Sequence, residues 1–183
     1  IILAAGQGKR MQSTLPKPLV PVLGRPIIDW LLDAVQASGI DAVSVVVGHQ
    51  ADAMRAHLDS SIQTPLQAER NGTAHAVDVA RDSVRDADDV LVFVGDSPLV
   101  RPASIKRLLR VHRESGAACS FLTADFAQHY PYARIIRGAD GAVSAVIEER
   151  DCTPEQCTIT EYLTSHFVFD AAALWSVLDR IPA

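Results

Sequence analysis

Two continuous apolar runs constrain the fold of this chain more than any other feature of its sequence. Residues 42–47 and 90–94 are apolar almost throughout and rich in valine, and segments with helical spacing of apolar residues separate and follow them. Strands without a polar face are typical of parallel sheets that carry helices on both faces. The alternation of such strands with helices therefore predicts an α/β fold, with a Rossmann-like and mostly parallel sheet wrapped by helices.

The later part of the sequence follows a different pattern. Residues 133–137 and 142–147 flank a glycine-containing turn and predict a β-hairpin. Residues 161–169 predict a further strand, and a short helix follows it. We expect this part to form a small β-rich subregion that covers the open edge of the parallel sheet.

The charge and the cysteine content limit the class of partner and the compartment. The 183 residues include 17 lysines and arginines against 22 aspartates and glutamates, whereas a general nucleic-acid binder is expected to be basic. The three cysteines, Cys119, Cys152 and Cys157, form no disulfide framework. The sequence contains no apolar run of membrane-spanning length and no recognisable signal peptide. We therefore expect a cytoplasmic protein whose partners are neither nucleic acids nor membranes.

Three loops should meet at one edge of the predicted sheet, over residues 4–17, 69–73 and 95–99. Right-handed connections between parallel strands place the loop after each strand at the carboxyl edge, where α/β sheets bind ligands. We expect a ligand site at that edge.

The first loop has the composition of a phosphate-binding loop. Residues 4–8 are small, so another group can approach the backbone, and the nearby Lys9, Arg10 and Lys17 bring positive charge. Backbone N–H groups and cations together form a cradle for an anion. The dinucleotide fingerprint fails because Met11 stands where it needs glycine, and the Walker P-loop fails because Arg10 replaces serine or threonine. The glycines alone are equally consistent with a tight turn beside a basic surface patch, which is the alternative to a phosphate-binding loop.

The whole N-terminal string points to a family. It reads Leu3-Ala4-Ala5-Gly6-x-Gly8-x-Arg10-Met11 and then Leu15-Pro16-Lys17, and it closely resembles the signature of the sugar-1-phosphate nucleotidylyltransferases. Within that family it is most similar to the N-terminal pyrophosphorylase domain of the bacterial N-acetylglucosamine-1-phosphate uridylyltransferases. The resemblance implies a nucleotide-diphospho-sugar transferase type of fold. It also implies that Lys17 lies on the phosphates of the nucleotide and that Arg10 holds the departing β,γ-phosphates. The nucleotide-binding residues that it implies in this loop are Leu3, Ala4, Ala5, Gly6 and Gly8.

Asp96 is the candidate metal ligand. It ends a buried strand in Gly95-Asp96-Ser97-Pro98-Leu99, and a carboxylate at the carboxyl end of a strand is well placed to hold Mg²⁺ that bridges phosphate oxygens. The alternative role is to cap the next turn or helix. The segment matches the family's Gly-Asp-x-Pro-Leu pattern, which implies that Gly95 and Asp96 bind the nucleotide and that Asp96 binds Mg²⁺. The resemblance also implies a second metal ligand, an asparagine expected beyond residue 183.

The segment from Gln67 to Ala76 is the second match, because the family has Gln-x-x-x-x-Gly-Thr-x-His-Ala here. A glutamine amide offers a donor and an acceptor, which suits the imide edge of uracil or thymine. The resemblance implies that Gln67, Gly72 and Thr73 recognise a pyrimidine. The plain alternative is a strand, a turn and a capped helix. We interpret His75 as a structural histidine rather than a base.

The acceptor site departs from the family pattern. The resemblance implies that Glu148 bonds sugar hydroxyls, although an acidic run after a strand is also typical of a solvated loop. Ala133 replaces the second glycine of the family's Gly-Tyr-Gly-Arg-Ile, and Leu163 replaces the asparagine of its Glu-x-Asn-Thr-Gly. Leucine cannot hydrogen-bond, so this difference can shift the preference for the acceptor.

These patterns predict one incomplete nucleotidylyltransferase domain over residues 1–183, with a nucleotide-binding half over about 1–115 and an acceptor half over about 116–183. We expect an enzyme that makes a UDP-sugar and pyrophosphate from UTP and a sugar 1-phosphate, with Mg²⁺ as cofactor. N-acetylglucosamine 1-phosphate is the first choice of acceptor, with a role in nucleotide-sugar biosynthesis and cell wall biogenesis. Two alternatives remain: the same chemistry with another nucleotide or phosphorylated acceptor, and a non-catalytic nucleotide-sugar-binding regulatory protein. The resemblance also allows a homo-oligomer formed through a further C-terminal domain.

Overall fold

The computed structural model describes residues 1–8, 11, 13–69 and 71–181. Within these residues the strands are β1 (Ile2–Leu3), β2 (Pro21–Val22), β3 (Arg25–Pro26), β4 (Val45–Val46), β5 (Asp89–Val94), β6 (Cys119–Asp125), β7 (Arg134–Arg137), β8 (Val143–Ile147) and β9 (Glu161–Asp170). The helices are α1 (Ile27–Gln36), α2 (Ala51–His57), α3 (Gly72–Val79), α4 (Pro102–Ser115) and α5 (Ala171–Leu178). In the described part of the chain, none of the helices combines the length and the apolar character that crossing a membrane requires.

The chain divides into two compact units, one of Ile1–Ser120 with Phe167–Ala183 and one of Phe121–His166. Strands β6 and β9 each contribute residues to both units. The predicted division into a nucleotide-binding half and an acceptor half concerns function, and it stays a prediction.

The first unit is built on a short parallel sheet. β1 pairs in parallel with β4 on one side and with β5 on the other, and Ile2 lies opposite both Val45 and Phe93. Residues 167–170 of β9 pair with β5 in the antiparallel sense, which gives the order β4-β1-β5-β9. The α/β class with a mostly parallel sheet is confirmed, and its antiparallel strand comes from the later part of the sequence.

Proline and glycine set the ends of the two longest helices. α1 begins after Pro26, and α4 has Pro102 at its first position, where no backbone N–H is needed. Gly116 ends α4 with a φ of 61°, a left-handed conformation that glycine adopts without strain. The apolar face of α1 is buried as its spacing predicts, at Ile27, Ile28, Leu31 and Val35.

A small hairpin of β2 and β3 precedes α1, and the sequence pattern did not predict it. Leu23 and Gly24 connect the strands with φ values of 52° and 78°, and positive φ at both central residues is the requirement of a type I′ turn. Strands of two residues are too short to show an alternation of polar and apolar positions.

The second unit contains the predicted β-hairpin and part of β9. β7 and β8 pair in the antiparallel sense with Arg134 opposite Ile147. On its other side β7 pairs with β9, where Arg134 lies opposite Tyr162. Arg134 therefore lies on a central strand, between β8 and β9.

Candidate active site

The glycine loop folds back onto Lys17. Ala4 and Ala5 are buried after β1, and the chain then turns at Gly8, whose φ is +57°. A Cβ atom at Gly8 would lie 2.9 Å from the Cβ of Lys17, so the close approach depends on glycine. The N–H of Met11 donates to the carbonyl oxygen of Gly8 at 2.8 Å and closes the turn.

Lys17 contacts the candidate metal ligand. It begins a 3-10 turn between Pro16 and the buried Pro18, and the two prolines restrict the backbone there. Its Nζ forms an ion pair with Oδ2 of Asp96. The side chains of Lys17 and Asp96 are 36% and 33% exposed, so both charged groups are accessible to a ligand.

Gly95 holds Asp96 at the edge of the sheet. The N–H of Gly95 donates to the carbonyl oxygen of Leu3 at 2.9 Å, and a Cβ atom at Gly95 would lie 3.0 Å from that oxygen. The lack of a side chain therefore lets the end of β5 lie close beside the end of β1. The loops that follow these two strands start side by side as a result.

The segment that carries Gln67 lies beside β4 and ends at the same edge of the sheet. Leu66 forms a parallel bridge with Val47, and the N–H of Gln67 donates to the Val47 carbonyl oxygen at 2.8 Å. The next residue, Gly48, approaches the glycine loop so closely that a Cβ atom there would lie 2.8 Å from the Cβ of Ala5. Residues 47 and 48 therefore connect Gln67 to the glycine loop.

Two contacts orient the buried side chain of Gln67, which is 5% exposed. Its Nε2 donates to the carbonyl oxygen of Gly72 at 3.0 Å and lies 3.2 Å from Nδ1 of His75. With both amide hydrogens directed at these groups, the amide oxygen is what Gln67 can offer to the imide N–H of a pyrimidine. His75 fixes the amide, which agrees with its interpretation as a structural histidine. Gly72, with a φ of +93°, and Thr73 are exposed at the start of α3.

The structure gathers most of the predicted nucleotide site at the carboxyl edge of the parallel sheet. Lys17 contacts both Gly8 and Asp96, and Gly95 lies against Leu3. Arg10 lies outside the described residues, so its contact with the departing phosphates stays a prediction. For the other predicted nucleotide-binding residues the structure gives the positions. That they contact the nucleotide stays a prediction.

Asp96 suits a magnesium ion that a nucleotide helps to bind. The residues that the structure describes contain no group of three or more histidine, cysteine, aspartate or glutamate side chains that could hold a metal ion. Proteins usually hold Mg²⁺ through one or two carboxylates, and substrate phosphates and water complete the ligand set. One accessible carboxylate beside the predicted phosphate-binding loop fits that arrangement.

The positions predicted to form the acceptor site line up across the second unit. The N–H of Leu163 donates to the carbonyl oxygen of Ala133 at 3.0 Å. Continuing the ladder of β7 and β8 by one residue beyond the Arg134–Ile147 pair places Glu148 on the other side of Ala133. We call Glu148, Ala133 and Leu163 the acceptor row. Glu148 is exposed, Leu163 is half-buried and Ala133 is buried.

Arg134, whose side chain is 0% exposed, is a buried residue that was not predicted from the sequence as part of a site. Its Nη2 lies 2.6 Å from Oε2 of Glu149, and its guanidinium lies 4.4 Å from the centre of the Tyr162 ring. Its Nη1 donates to the carbonyl oxygen of Tyr132. The available signal was an arginine inside an otherwise apolar strand, where a charged side chain is rarely buried without a partner.

Glu149 is held by two basic side chains. Besides Arg134, the Nε2 atom of His129 lies 2.8 Å from its Oε1. Burial acts to raise the pKa of Glu149, but hydrogen bonds from His129 and Arg134 outweigh it, and the pKa is lowered. The carboxylate form of Glu149 is therefore favoured in the folded chain.

Comparison with protein families identifies the class. A model of the MobA-like NTP transferase domain matches residues 1–155. The chain therefore belongs to the family of MobA-like NTP transferase domains, which confirms the class of nucleotidylyltransferase to which its motifs point.

Two curated relatives are similar to this chain over nearly its whole length. The chain is 40% identical over 184 residues to the bifunctional protein GlmU of Pelobacter propionicus, and the match covers 99% of this chain and 40% of that protein. It is likewise 40% identical over 182 residues to the bifunctional protein GlmU of Pelotomaculum thermopropionicum, with the same coverage. The chain thus spans about two fifths of the length of these curated relatives.

Two solved structures share the fold. A Bacillus anthracis protein described as a glucose-1-phosphate thymidylyltransferase, in complex with a sucrose, has a TM-score of 0.83 at 18% identity, covering 99% of this chain and 74% of that chain. A UDP-glucose pyrophosphorylase complexed with UDP-glucose has a TM-score of 0.80 at 15% identity, covering 98% and 78%. At these identities the likeness establishes the fold.

Proposed function

We propose that this chain is the nucleotidylyltransferase part of an enzyme that joins UTP and a sugar 1-phosphate into a UDP-sugar, with release of pyrophosphate. The observation that carries the proposal is the contact of Lys17 with both Gly8 and Asp96 at the carboxyl edge of a parallel sheet. N-acetylglucosamine 1-phosphate is the first choice of acceptor, because the N-terminal string is most similar to the domain that uses it.

The proposed reaction is an in-line displacement. A phosphate oxygen of the sugar 1-phosphate attacks the α-phosphorus of UTP, and the bond between that phosphorus and the oxygen of the departing pyrophosphate breaks. Both substrates are anions, so the chain must hold them in line and neutralise their charge. Lys17 supplies a cation for the nucleotide phosphates, and Arg10 is assigned to the pyrophosphate. Mg²⁺ held by Asp96 would neutralise the charge that develops on the phosphate oxygens.

Recognition of the base is assigned to the start of α3. The oxygen of the Gln67 amide accepts a hydrogen bond from the imide N–H of uracil, and the bond to Gly72 keeps the amide in that orientation. Gly72 and Thr73 are exposed, which leaves their backbone accessible to a flat base. Thymine has the same imide edge, so dTTP is the closest competing nucleotide.

The second candidate is the same chemistry with a different phosphorylated acceptor. The observation that favours it is the acceptor row, in which Leu163 offers no side-chain hydrogen bond and Ala133 is buried. A site that loses a polar partner discriminates differently between acceptors. A regulatory protein that binds a nucleotide sugar without turnover would share this weakened acceptor site.

Release of pyrophosphate tests the proposal. UTP or dTTP is combined with a panel of sugar 1-phosphates in the presence of Mg²⁺, and we expect turnover with at least one acceptor. Asp96→Asn should lower kcat/KM by about a hundredfold or more, because metal-assisted charge stabilisation in the transition state is lost. Its thermal unfolding midpoint should stay within a few degrees of that of the unchanged chain.

Asp52→Asn is the matched control, since it removes a fully exposed carboxylate from α2 and should leave turnover unchanged. Full activity of Asp96→Asn would remove Asp96 as the metal ligand. Binding of UTP without turnover of any acceptor would favour the regulatory alternative.

A further inference from the structure

The buried side chain of Arg134 contacts residues that are adjacent in sequence to the three members of the acceptor row. Arg134 is the first residue of β7 and directly follows Ala133. It forms an ion pair, at 2.6 Å, with Glu149, which directly follows Glu148 just after β8. Its guanidinium lies over the ring of Tyr162, which precedes the β9 member. Arg134 is therefore the common contact of the three chain segments that carry the row.

Arg134 also holds the peptide group that precedes Ala133. Its Nη1 donates to the carbonyl oxygen of Tyr132. That carbonyl and the N–H of Ala133 belong to one planar peptide group and point in opposite directions. Fixing the carbonyl on the buried guanidinium therefore fixes the direction of the Ala133 N–H. This N–H is the group at that position that can still serve a sugar 1-phosphate, because the residue has no polar side chain.

Adjacent residues of a strand point to opposite faces, so Arg134 and the acceptor row project to opposite sides of the strands. Arg134 therefore acts on the row through the backbone and does not bind the acceptor. Burying an ion pair contributes little net stability compared with apolar side chains of similar size. The Arg134–Glu149 pair instead fixes the position of β7 relative to the residues that follow β8.

We propose that Arg134 is a positioning residue for the phosphorylated acceptor. With Glu149, it fixes the Ala133 N–H and the Glu148 backbone in the geometry that receives the sugar 1-phosphate. This inference rests on the proposed function, and it adds to that function a buried residue that determines acceptor affinity.

Arg134→Lys is the first test, because lysine keeps the charge but cannot contact Glu149 and Tyr132 with a planar fork. We expect the KM for the sugar 1-phosphate to rise about tenfold or more, with kcat and the KM for UTP changed by less than about twofold. Arg137→Lys is the matched control on the same strand, since Arg137 is 45% exposed and pairs with Glu161. It should leave all three parameters unchanged.

Glu149→Gln is a second variant that tests the same arrangement from the partner's side. It should raise the KM for the acceptor in the same way, and the double variant should be no worse than the more affected single variant, because both remove one interaction. An unchanged acceptor KM in Arg134→Lys would overturn the inference. A parallel rise in both KM values with a lowered unfolding midpoint would reduce Arg134 to a structural residue and would also overturn it.

Amide hydrogen exchange separates this inference from the proposed function. Absence of turnover with every acceptor would contradict the proposed function alone. In that case the segments 131–134 and 147–150 should still exchange faster in Arg134→Lys than in Arg137→Lys, at similar unfolding midpoints. Equal exchange in the two variants would show that Arg134 does not position these segments.

Discussion

Lys17 and Asp96 face each other as an ion pair, and each side chain remains about one third exposed. An ion pair of this exposure contributes only about 0–1 kcal/mol to stability, so its value lies in where it places the two charges. The sequence alone identified both residues as site candidates from their motifs. It did not predict their direct contact, because residues 79 positions apart are joined only by the folded sheet.

Replacing Lys17 by methionine should weaken nucleotide binding. Methionine keeps the aliphatic stem but removes the cation, and a charge-assisted contact with a phosphate is worth about 1.5–3 kcal/mol, so the Kd for UTP should rise about tenfold to a hundredfold. Isothermal titration of UTP with Mg²⁺ measures this. Lys106→Met on the exposed face of α4 is the control. An unchanged Kd for UTP in Lys17→Met would count against the assignment of Lys17.

At the scale of helices and strands, the two apolar runs predicted β4 and β5, and the later pattern predicted the hairpin of β7 and β8, strand β9 and helix α5. The sequence predicted that its later part covers the open edge of the parallel sheet, but it did not identify β9 and β5 as the strands that pair there, because the partner of a strand is a non-local choice that a local pattern does not record. The position of Arg134 between two strands was missed for the same reason. The small residues of the glycine loop, in contrast, were informative because close backbone approach demands them.

Gly48 joins the Gln67 segment to the glycine loop, and an added methyl group should disturb that junction. A Cβ atom there would lie 2.9 Å from the carbonyl oxygen of Ala5, so Gly48→Ala should lower the free energy of unfolding by about 1–3 kcal/mol. Gly6→Ala is the contrast, since no atom lies within 4 Å of its added Cβ and its φ is unstrained. Chemical denaturation measures both variants. An equal loss of stability in the two would contradict the close approach at Gly48.

Strand β9 contains a residue in the left-handed conformation. Ser165 has a φ of 59°, at the position where the family pattern has glycine. Ser165→Gly should raise the free energy of unfolding by up to about 1 kcal/mol, because relief of backbone strain is partly offset by the greater freedom of glycine in the unfolded chain. Ser165→Ala should give no gain, since alanine bears the same strain. A stabilisation by alanine as large as that by glycine would exclude the backbone as the cause.

At the scale of the whole molecule, stability depends on pH through carboxylates that pair with arginines. The arginines stay charged, and the carboxylates lose their charge when they are protonated at low pH. Arg137 hydrogen-bonds Glu161 through two nitrogens at 2.7 Å and 2.6 Å, and this contact lowers the pKa of Glu161 from its ordinary 4.5. The pKa of Glu149 is lowered as well. A carboxyl group with a lowered pKa in the folded state stabilises the fold above its unfolded pKa, and this stabilisation is lost as the pH falls through the folded value.

The unfolding midpoint should therefore fall as the pH is lowered below about 4.5, where the unfolded chain takes up more protons than the folded chain. Arg137→Met returns the pKa of Glu161 towards its ordinary value, so this variant should lose less stability between about pH 6 and about pH 3. Thermal unfolding followed by circular dichroism across that range measures the difference. Identical pH profiles for the variant and the unchanged chain would show that this pair does not contribute to acid sensitivity.

The acceptor row of Glu148, Ala133 and Leu163 has a practical consequence for protein engineering. None of its members belongs to the loops assigned to the nucleotide, so a saturation library confined to these three positions leaves those loops unchanged. Screening such a library for pyrophosphate release with a non-natural sugar 1-phosphate would then report changes in acceptor preference against a constant background of nucleotide affinity.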